Sequence, residues 1–480
     1  MPRRSGDDDE PAGSGLPRDD DERVIPFARP ISATAEPPRE AWHRPGFSIT
    51  DENLAACFIA KRGDDFCYSR QRRVWRAFDG KVWQDDALLQ VHDAVTTLLG
   101  EVGAVAAKRI KDKIRIGSRA MVVAVEAQAR GRLSIDEGLF DINPWLLNTP
   151  DGTFDLKVSG GLAMRRHDRL DYLTKLTRVS PGGECPQWLE FLDAVTVGDA
   201  DLQSYLQRLF GYALVGVTSE QMLAYCHGTG GNGKGVMLST LLHALGDYGV
   251  TVSSEVFAAQ QFARHTEELM PMRGARLIVA SETESGHSWN ESRIKQLTGG
   301  DDKIRARYMR ENSVEFTISG LICIMANHLL ELANVDDAIK RRLHMVPFAA
   351  KFEGERIDKG IGDKLKAEAG GVLQWMCEGC RMWQAEGLQP PEAVMAATDE
   401  YISGEDHVAE FAEECLVTHV LATMVTKTSD LYAAWKKFAE ARGYEVGGIN
   451  PFSRNLVRLG FEKNKSNKHG RTFKRVAIKE

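Results

Sequence analysis

The feature that most constrains this chain is a glycine-rich loop between a predicted strand and a predicted helix. The apolar run MLAYCH (222–227) leads into GTGGNGK (228–234), and the helical pattern VMLSTLLHAL (236–245) follows. Glycines let successive backbone N–H groups point into one hollow, where they bind an anion. The following helix directs the positive end of its dipole to the same place. This order of elements is typical of a phosphate-binding loop.

Lys234 ends the loop and adds a charge that can reach the β- and γ-phosphates of ATP. The next residue in such loops is usually Ser or Thr, whose hydroxyl meets Mg²⁺, but here it is Gly235. The metal would therefore need water or an acidic side chain. We predict ATP and Mg²⁺ as cofactors, with the nucleotide bound by Gly228, Thr229, Gly230, Gly231, Asn232, Gly233, Lys234 and Gly235.

An acidic partner is expected at the end of another buried strand. The run RLIVASETES (276–285) carries Glu282 and Glu284 just after its apolar part, and alternate positions in extended chain project to one side. We predict that Glu282 holds the metal and polarises the attacking water, with Glu284 as its assistant. The alternative is a solvated strand end with two surface acids.

Two further positions downstream carry side chains that nucleotide hydrolysis can use. Asn327 ends the apolar run LICIMA (321–326), where an amide could orient the attacking water. Arg341 and Arg342 precede HMVPF (344–348), and an arginine there could reach the nucleotide of a neighbouring subunit. The alternatives are an ordinary turn asparagine and an ordinary surface arginine pair.

Basic residues alternate in a predicted hairpin downstream of the acidic run. Lys303, Arg305 and Arg307 lie on one face of its first strand. A protruding basic hairpin can follow a phosphate backbone without reading its sequence. The alternative is a solvated charged face.

The C-terminal end is also basic, although the net charge of the chain is −7. From Ser453 onward there are nine Lys or Arg against two Glu. Two predicted helices, then a polar turn between basic strands, form the pattern of a winged helix. Its predicted DNA contacts are Arg454, Arg458, Lys465, Lys468 and Arg471. A solvated basic tail is the alternative.

Composition indicates an ordinary globular protein, with 43% hydrophobic and 27% charged residues in 480. No apolar run approaches the roughly 20 residues that span a bilayer, and the N-terminus lacks a secretory signal. Eight scattered cysteines favour a reducing cytoplasm, and Cys377 and Cys380 are interpreted as packing residues.

The predicted fold is α/β, with an AAA+-like P-loop core, a parallel sheet, a helical N-terminal region and a C-terminal winged helix. The apolar runs MLAYCH, RLIVAS, VEFTI, LICIMA and HMVPF alternate with helical segments, which indicates a mainly parallel sheet. The predicted domains are a disordered acidic, proline-rich tail (1–47), a small α/β and helical N-terminal domain (48–135), a connector (136–200), the ATPase core (201–350), a helical subdomain (351–418) and the winged-helix-like domain (419–480).

With these motifs in order, the chain resembles the helicase part of phage and plasmid primase–helicases, in the superfamily III (AAA+-like) helicases. The matching segments are GTGGNGKG (228–235), RLIVASETESG (276–286), KQLTGGDDKIRARYM (295–309), ICIMANH (322–328) and RRLHMVPF (341–348). Their order matches the Walker A, Walker B, B-prime, sensor-1 and arginine-finger elements of the family.

The resemblance implies an ATP-dependent helicase that translocates on single-stranded DNA as a ring, typically a hexamer. It implies phosphate binding by Lys234, metal and water chemistry at Glu282, a sensor at Asn327 and a trans-acting finger at Arg341 or Arg342. The expected partners are single-stranded DNA, replication fork or origin DNA, further copies of the chain and a separate primase, with no membrane partner. Two alternatives stay open: a DNA-binding replication initiator or regulator with a weak ATPase, and a small-molecule P-loop phosphotransferase.

Overall fold

A computed structural model gives the fold of residues 41–157, 163–257, 266–281, 290–300, 302–307, 313–327, 336–354, 357–404, 407–418, 424–444, 446, 448–467 and 470–479. Glu282, Glu284 and Lys468 lie outside these described residues. The side chains of Arg458, Lys465 and Arg471 are also outside the description.

The first part of the described chain packs helices against a four-stranded sheet. Its elements are α1 (Asp51–Arg62), β1 (Phe66–Ser69), β2 (Val74–Phe78), β3 (Trp83–Asp85), α2 (Gln90–Ala106), α3 (Ile110–Ile116), α4 (Arg119–Arg132) and β4 (Ser134–Ile135). The sheet order is β3-β2-β1-β4. Thr50 caps the start of α1, because its hydroxyl accepts a hydrogen bond from the Asn53 amide at 3.2 Å.

The predicted disorder of residues 1–47 is wrong for residues 41–47. Ala41–His43 forms a short 3-10 helix, and Trp42 is only 4% exposed. The Trp42 indole lies in the same buried cluster as Phe58 of α1 and Val95 of α2. Burial of so large an apolar ring fixes this stretch to the N-terminal core.

Three short antiparallel strands follow, β5 (Leu146–Thr149), β6 (Gly152–Asp155) and β7 (Ala163–Arg165), in the order β5-β6-β7. The strands of the next region are β8 (Leu223–His227), β9 (Gly249–Ser253), β10 (Leu277–Ser281), β11 (Ile304–Ala306), β12 (Val314–Phe316), β13 (Leu321–Ala326) and β14 (Leu343–Pro347).

The predicted parallel sheet is confirmed, with one correction to its membership. Five strands pair in the order β14-β8-β13-β10-β9, and every pairing is parallel. The run VEFTI does not join them, because β12 pairs antiparallel with β11 in a separate hairpin. The fifth strand is instead β9, whose sequence GVTVS alternates valine with polar residues and therefore does not stand out among the apolar runs.

Helices surround this sheet and continue beyond it. They are α5 (Pro186–Thr196), α6 (Ala200–Ala213), α7 (Lys234–Leu245), α8 (Glu291–Thr298), α9 (Asp337–Lys340), α10 (Ile361–Ala367), α11 (Ala369–Glu386), α12 (Glu392–Gly404) and α13 (His407–Cys415). One buried cluster runs from Leu147 through Trp188 and Met237 to Val394. Residues of the predicted connector, ATPase core and helical subdomain therefore all contribute to this cluster.

Helices α6 and α11 pack with their backbones in close approach. A Cβ atom at Gly379 would overlap the Gln207 carbonyl, and one at Gly211 would overlap the backbone at Cys380. Cys380 is fully buried beside Cys377, and burial raises the pKa of Cys380 to about 11. Both thiols therefore serve as packing groups, as the sequence predicts.

We expect Gly379→Ala to destabilise the protein by at least ~1–3 kcal/mol, because the added methyl group forces two helix backbones apart. The matched control is Gly362→Ala in α10, where nothing lies within 4 Å of the new Cβ. That variant should be neutral or gain about 0.4–1 kcal/mol. Thermal unfolding midpoints of the two variants test the comparison, and equal midpoints would contradict the close helix contact.

The last part of the chain has its own buried cluster around Phe411, Trp435 and Phe473. Its elements are β15 (Leu416–Val417), β16 (Val425–Lys427), α14 (Thr428–Arg442), α15 (Ile449–Arg458), β17 (Lys463–Asn467), β18 (Gly470–Lys474) and β19 (Ala477–Ile478). Strands β17 and β18 form an antiparallel hairpin after α15, and β16 pairs with the other edge of β18. Among the described residues, no helix has the length and apolar character needed to cross a membrane.

Candidate functional site

The glycine-rich loop connects β8 to α7 at the carboxyl end of the parallel sheet. Gly230, Gly231 and Gly233 have φ angles of +88°, +62° and +85°. L-residues rarely adopt such angles, so glycine lets the chain turn tightly before α7 begins at Lys234. At Gly233 a Cβ would also come within 2.5 Å of Val195 Cγ1, so α5 supports the loop from behind.

Asn232 holds the loop in place from inside. It is 2% exposed, and its Nδ2 donates to the Phe348 carbonyl at 3.3 Å. The Phe352 amide donates to the Gly231 carbonyl at 3.0 Å. The segment after β14 therefore braces the loop through two hydrogen bonds, which the sequence pattern does not reveal.

The Lys234 side chain lies inside the hollow of the loop, with the residue 3% exposed. Its Nζ donates to the Gly228 carbonyl at 2.6 Å and to Asn327 Oδ1 at 3.4 Å. Burial lowers the pKa of Lys234, because loss of water disfavours the ammonium. An anion in the hollow would offset that loss of solvation, so the loop and its lysine fit a phosphate group.

Asn327 reaches this place because β13 lies between β8 and β10. Met325 of β13 pairs with Cys226 of β8 on one side and with Ser281 of β10 on the other. The carboxyl ends of these three strands therefore lie at one edge of the sheet. Residue 282 directly follows Ser281 there, although its own placement is outside the described residues.

The described residues contain no cluster of side chains typical of a protein metal site. Among them there is no group of three or more His, Cys, Asp or Glu that could hold an ion. Gly235 offers no oxygen beyond its backbone, but a Cβ there would meet only Met325 Sδ, at 3.6 Å. The position therefore has room for a hydroxyl-bearing side chain that the sequence does not supply.

His227 is a neighbour of the loop that sequence reasoning missed. It is the last residue of β8, and its Nε2 is buried with no hydrogen-bond partner in the described structure. Burial, with a smaller contribution from the Lys234 charge, lowers the pKa of His227. The sequence places His227 immediately before the glycines, and this position could have indicated that it lies beside the loop.

The two adjacent arginines before β14 occupy different environments. Arg342 is 8% exposed, and its guanidinium donates to Thr298 Oγ1, the Ala338 carbonyl and Gln221 Oε1 at 3.2, 2.9 and 3.4 Å. Arg341 is exposed. The geometry therefore assigns Arg342 to internal packing and leaves Arg341 as the arginine that can extend from the surface.

The basic hairpin has the two-faced arrangement that the sequence predicts. Ile304 and Ala306 are buried at 3% and 1% exposure, and both belong to a core cluster. Lys303, Arg305 and Arg307 alternate with them and are exposed. None of the three has an ion pair within the described residues, so their charges are available to solvent.

Arg454 is exposed on α15, ahead of the β17–β18 hairpin. Two basic residues of this region are engaged: Lys463 Nζ donates to Ser453 Oγ at 2.8 Å, and Lys474 pairs with Glu462 at 2.5 Å. The predicted contacts Arg458, Lys465 and Arg471 lie on α15, β17 and β18, respectively.

The fold and the loop define an α/β protein with a five-stranded parallel sheet and a glycine-rich loop leading into a helix. Two family models match it. The first, "D5 N terminal like", matches residues 55–197, and the second, "Family of unknown function (DUF5906)", matches residues 226–342. The second match contains the loop, Asn327 and Arg341.

Viral proteins are among the relatives. The chain is 25% identical to "Putative helicase L207/L206" of Acanthamoeba polyphaga mimivirus over 46% of its length and 25% of that protein. It is 23% identical to "Putative helicase 022R" of Frog virus 3 over 51% of its length and 27% of that protein. The chain thus matches about a quarter of the length of these relatives.

Among solved structures, the apo structure of the NrS-1 C-terminal region (305–718) is similar at a TM-score of 0.49 and 11% identity. The likeness covers 90% of this chain and all of that one. The family and sequence matches confirm the resemblance to the helicase part of the primase–helicase family.

Proposed function

We propose that this chain is an ATP-dependent superfamily III DNA helicase of a phage or plasmid replication system. In this proposal it moves along single-stranded DNA as a ring of identical subunits. The observation that carries the proposal is the position of Lys234. It is buried at the end of a glycine-rich loop, and its Nζ lies 3.4 Å from Oδ1 of Asn327, the residue that follows β13. Such a pair can bind the γ-phosphate and respond to its loss.

Nucleotide binding would use the loop amides, the N-terminus of α7 and the Lys234 ammonium. The negative charge of the ATP phosphates would stabilise the buried Lys234 ammonium. Asn327 then has the role of orienting the attacking water from the end of β13. The opposite edge of the loop is held by Asn232 and Phe348, so the amides are fixed before the nucleotide arrives.

We assign Mg²⁺ binding to Glu282, with Glu284 as an assistant, because these residues follow β10 in the sequence and the last residue of β10, Ser281, pairs with Met325 of β13. Bound Mg²⁺ would neutralise charge on the phosphates. Gly235 supplies no hydroxyl, so we assign a larger share of metal binding to these acids than in loops that carry Ser or Thr. The same glycine is the feature that favours the alternative of an initiator or regulator with a weak ATPase.

DNA contact is assigned to the hairpin cations Lys303, Arg305 and Arg307 and to the C-terminal module. The three hairpin charges are exposed, unpaired within the described residues and backed by buried Ile304 and Ala306. Burial of Ile304 and Ala306 keeps the three charged side chains on the exposed face of the hairpin. We assign the two helices and hairpin of the C-terminal part to a winged-helix-like DNA-binding domain, with Arg454 facing solvent.

The proposal is tested by measuring ATP hydrolysis with and without single-stranded DNA, and by unwinding of a forked duplex. We expect DNA to stimulate hydrolysis and the fork to be unwound only when ATP and Mg²⁺ are present. Hydrolysis without unwinding or DNA stimulation would favour a small-molecule phosphotransferase. DNA binding with negligible hydrolysis would favour the initiator or regulator.

The triple substitution Lys303→Ala, Arg305→Ala and Arg307→Ala should abolish DNA stimulation while leaving the DNA-independent hydrolysis rate intact. A plot of the logarithm of the DNA-binding constant against the logarithm of the salt concentration has a negative slope. Each lost phosphate contact makes that slope shallower by about 0.7 for single strands, so the triple variant should have a slope shallower by about 2. Salt titrations of DNA binding measure this slope.

The matched control removes three charges from another surface, through Lys359→Ala, Lys364→Ala and Lys366→Ala near α10. It should leave both DNA stimulation and the salt slope unchanged. Equal losses in the two triple variants would mean that net charge, rather than the hairpin, governs DNA binding.

A further inference from the structure

The helix α3 and the two residues before it form an exposed surface that the proposed helicase activity does not use. We call residues 108–115 the basic–apolar face. It carries five Lys or Arg against one acid, Asp112. Ile110 and Ile114 are 78% and 70% exposed in the midst of these charges. In the described part of the chain, Lys108, Arg109, Lys111 and Lys113 have no ion pair.

Two exposed isoleucines at i and i+4 lie next to each other on one side of a helix. Solvation of a basic face does not explain two exposed isoleucines, and the phosphate groups of a nucleic acid offer isoleucine no apolar contact. Covering them removes apolar surface from water, worth about 25 cal/mol per Å². The surface therefore fits a peptide that combines acidic side chains with neighbouring apolar ones.

The chain contains such a peptide in its own N-terminal segment. Residues 19–27 read DDDERVIPF, with four acids followed closely by Val24, Ile25 and Phe27. We propose that residues 19–27 bind the basic–apolar face. The four acids would meet the cations, and the apolar residues would cover Ile110 and Ile114.

The start of the described chain lies close to α3. Trp42, near the start of the described chain, and Ile116, the last residue of α3, lie in the same buried cluster. Arg115 also donates to the Ile49 carbonyl at 2.6 Å. The stretch from Phe27 to Ala41 can span up to about 45 Å. A tether of this length keeps the peptide at an effective concentration of about millimolar.

The chain provides a matched control for the test. Residues 7–10 repeat the same four acids, DDDE, but PAGSG follows them in place of the apolar residues. Neutralising either run changes the net charge by the same amount. Any difference between the two variants therefore reports specific binding rather than general electrostatics.

The experiment is hydrogen–deuterium exchange of the amides of residues 108–116 in the full chain. The variant Asp19→Asn, Asp20→Asn, Asp21→Asn, Glu22→Gln should exchange about threefold to tenfold faster than the wild type there. The control Asp7→Asn, Asp8→Asn, Asp9→Asn, Glu10→Gln should match the wild type. Raising the salt concentration should bring the wild type towards the first variant, since surface charges are screened.

A second variant, Ile110→Ser with Ile114→Ser, changes only exposed side chains and should accelerate exchange at residues 19–27 without lowering the thermal unfolding midpoint. The proposal would be overturned if the amides of residues 108–116 exchanged at the same rate in the two acidic-run variants. It would also be overturned if exchange at 108–116 slows only when single-stranded DNA is added, because the face would then be a nucleic-acid contact. Neither result bears on ATP hydrolysis.

Discussion

Replacing Lys234 with alanine is expected to lower ATP hydrolysis at least about 100-fold, the usual effect of removing one preorganised donor from developing charge. The ammonium is buried against the loop carbonyl of Gly228 and beside Asn327. No other described cation lies in that hollow to replace it. DNA unwinding should be lost together with hydrolysis, because translocation has no other source of energy.

The control for this prediction is Lys61→Ala on α1, which removes an exposed lysine that pairs with Glu101 and lies over the Trp42 ring. It should hydrolyse ATP at the wild-type rate. Thermal unfolding of Lys234→Ala checks that the loop substitution leaves the protein folded. An unchanged, DNA-stimulated rate in a folded Lys234→Ala protein would overturn the assignment of the loop to ATP.

Much of the site was predictable because it lies at strand ends. Parallel strands finish at the same edge of a sheet, so the apolar runs before Lys234 and Asn327 sufficed to predict that these residues lie near each other. The alternation of Lys303, Arg305 and Arg307 with buried residues was predictable for a similar reason, since side chains alternate along a strand.

Contacts between distant segments were not predictable from local pattern. Arg341 and Arg342 are adjacent and chemically identical, and only the folded chain brings Thr298 and Gln221 to the second of them. The close approach at Gly211 and Gly379 likewise depends on two helices far apart in sequence. Strand β9 was missed because its edge position allows polar residues on exposed sites.

Because the two arginines differ in burial, their alanine variants should fail in different ways. Arg341→Ala is expected to keep nucleotide binding and thermal stability but to lose about 10³-fold in turnover, the effect of removing a trans-acting arginine. Arg342→Ala leaves buried hydrogen-bond partners unsatisfied, which should cost about 1–3 kcal/mol of stability. Nucleotide-binding titrations, turnover rates and unfolding midpoints separate the two outcomes.

Mixing two inactive variants tests whether Arg341 acts on a neighbouring subunit. An Arg341→Ala subunit keeps its own loop, and a Lys234→Ala subunit keeps its own Arg341. In a mixed ring, a loop of the first kind can receive the arginine of the second, so hydrolysis should reappear at those interfaces. If Arg341 instead acted within its own subunit, every subunit in the mixture would lack one required group. Mixtures that stay as inactive as their components, despite subunit exchange confirmed by mass measurement, would therefore contradict the trans arrangement.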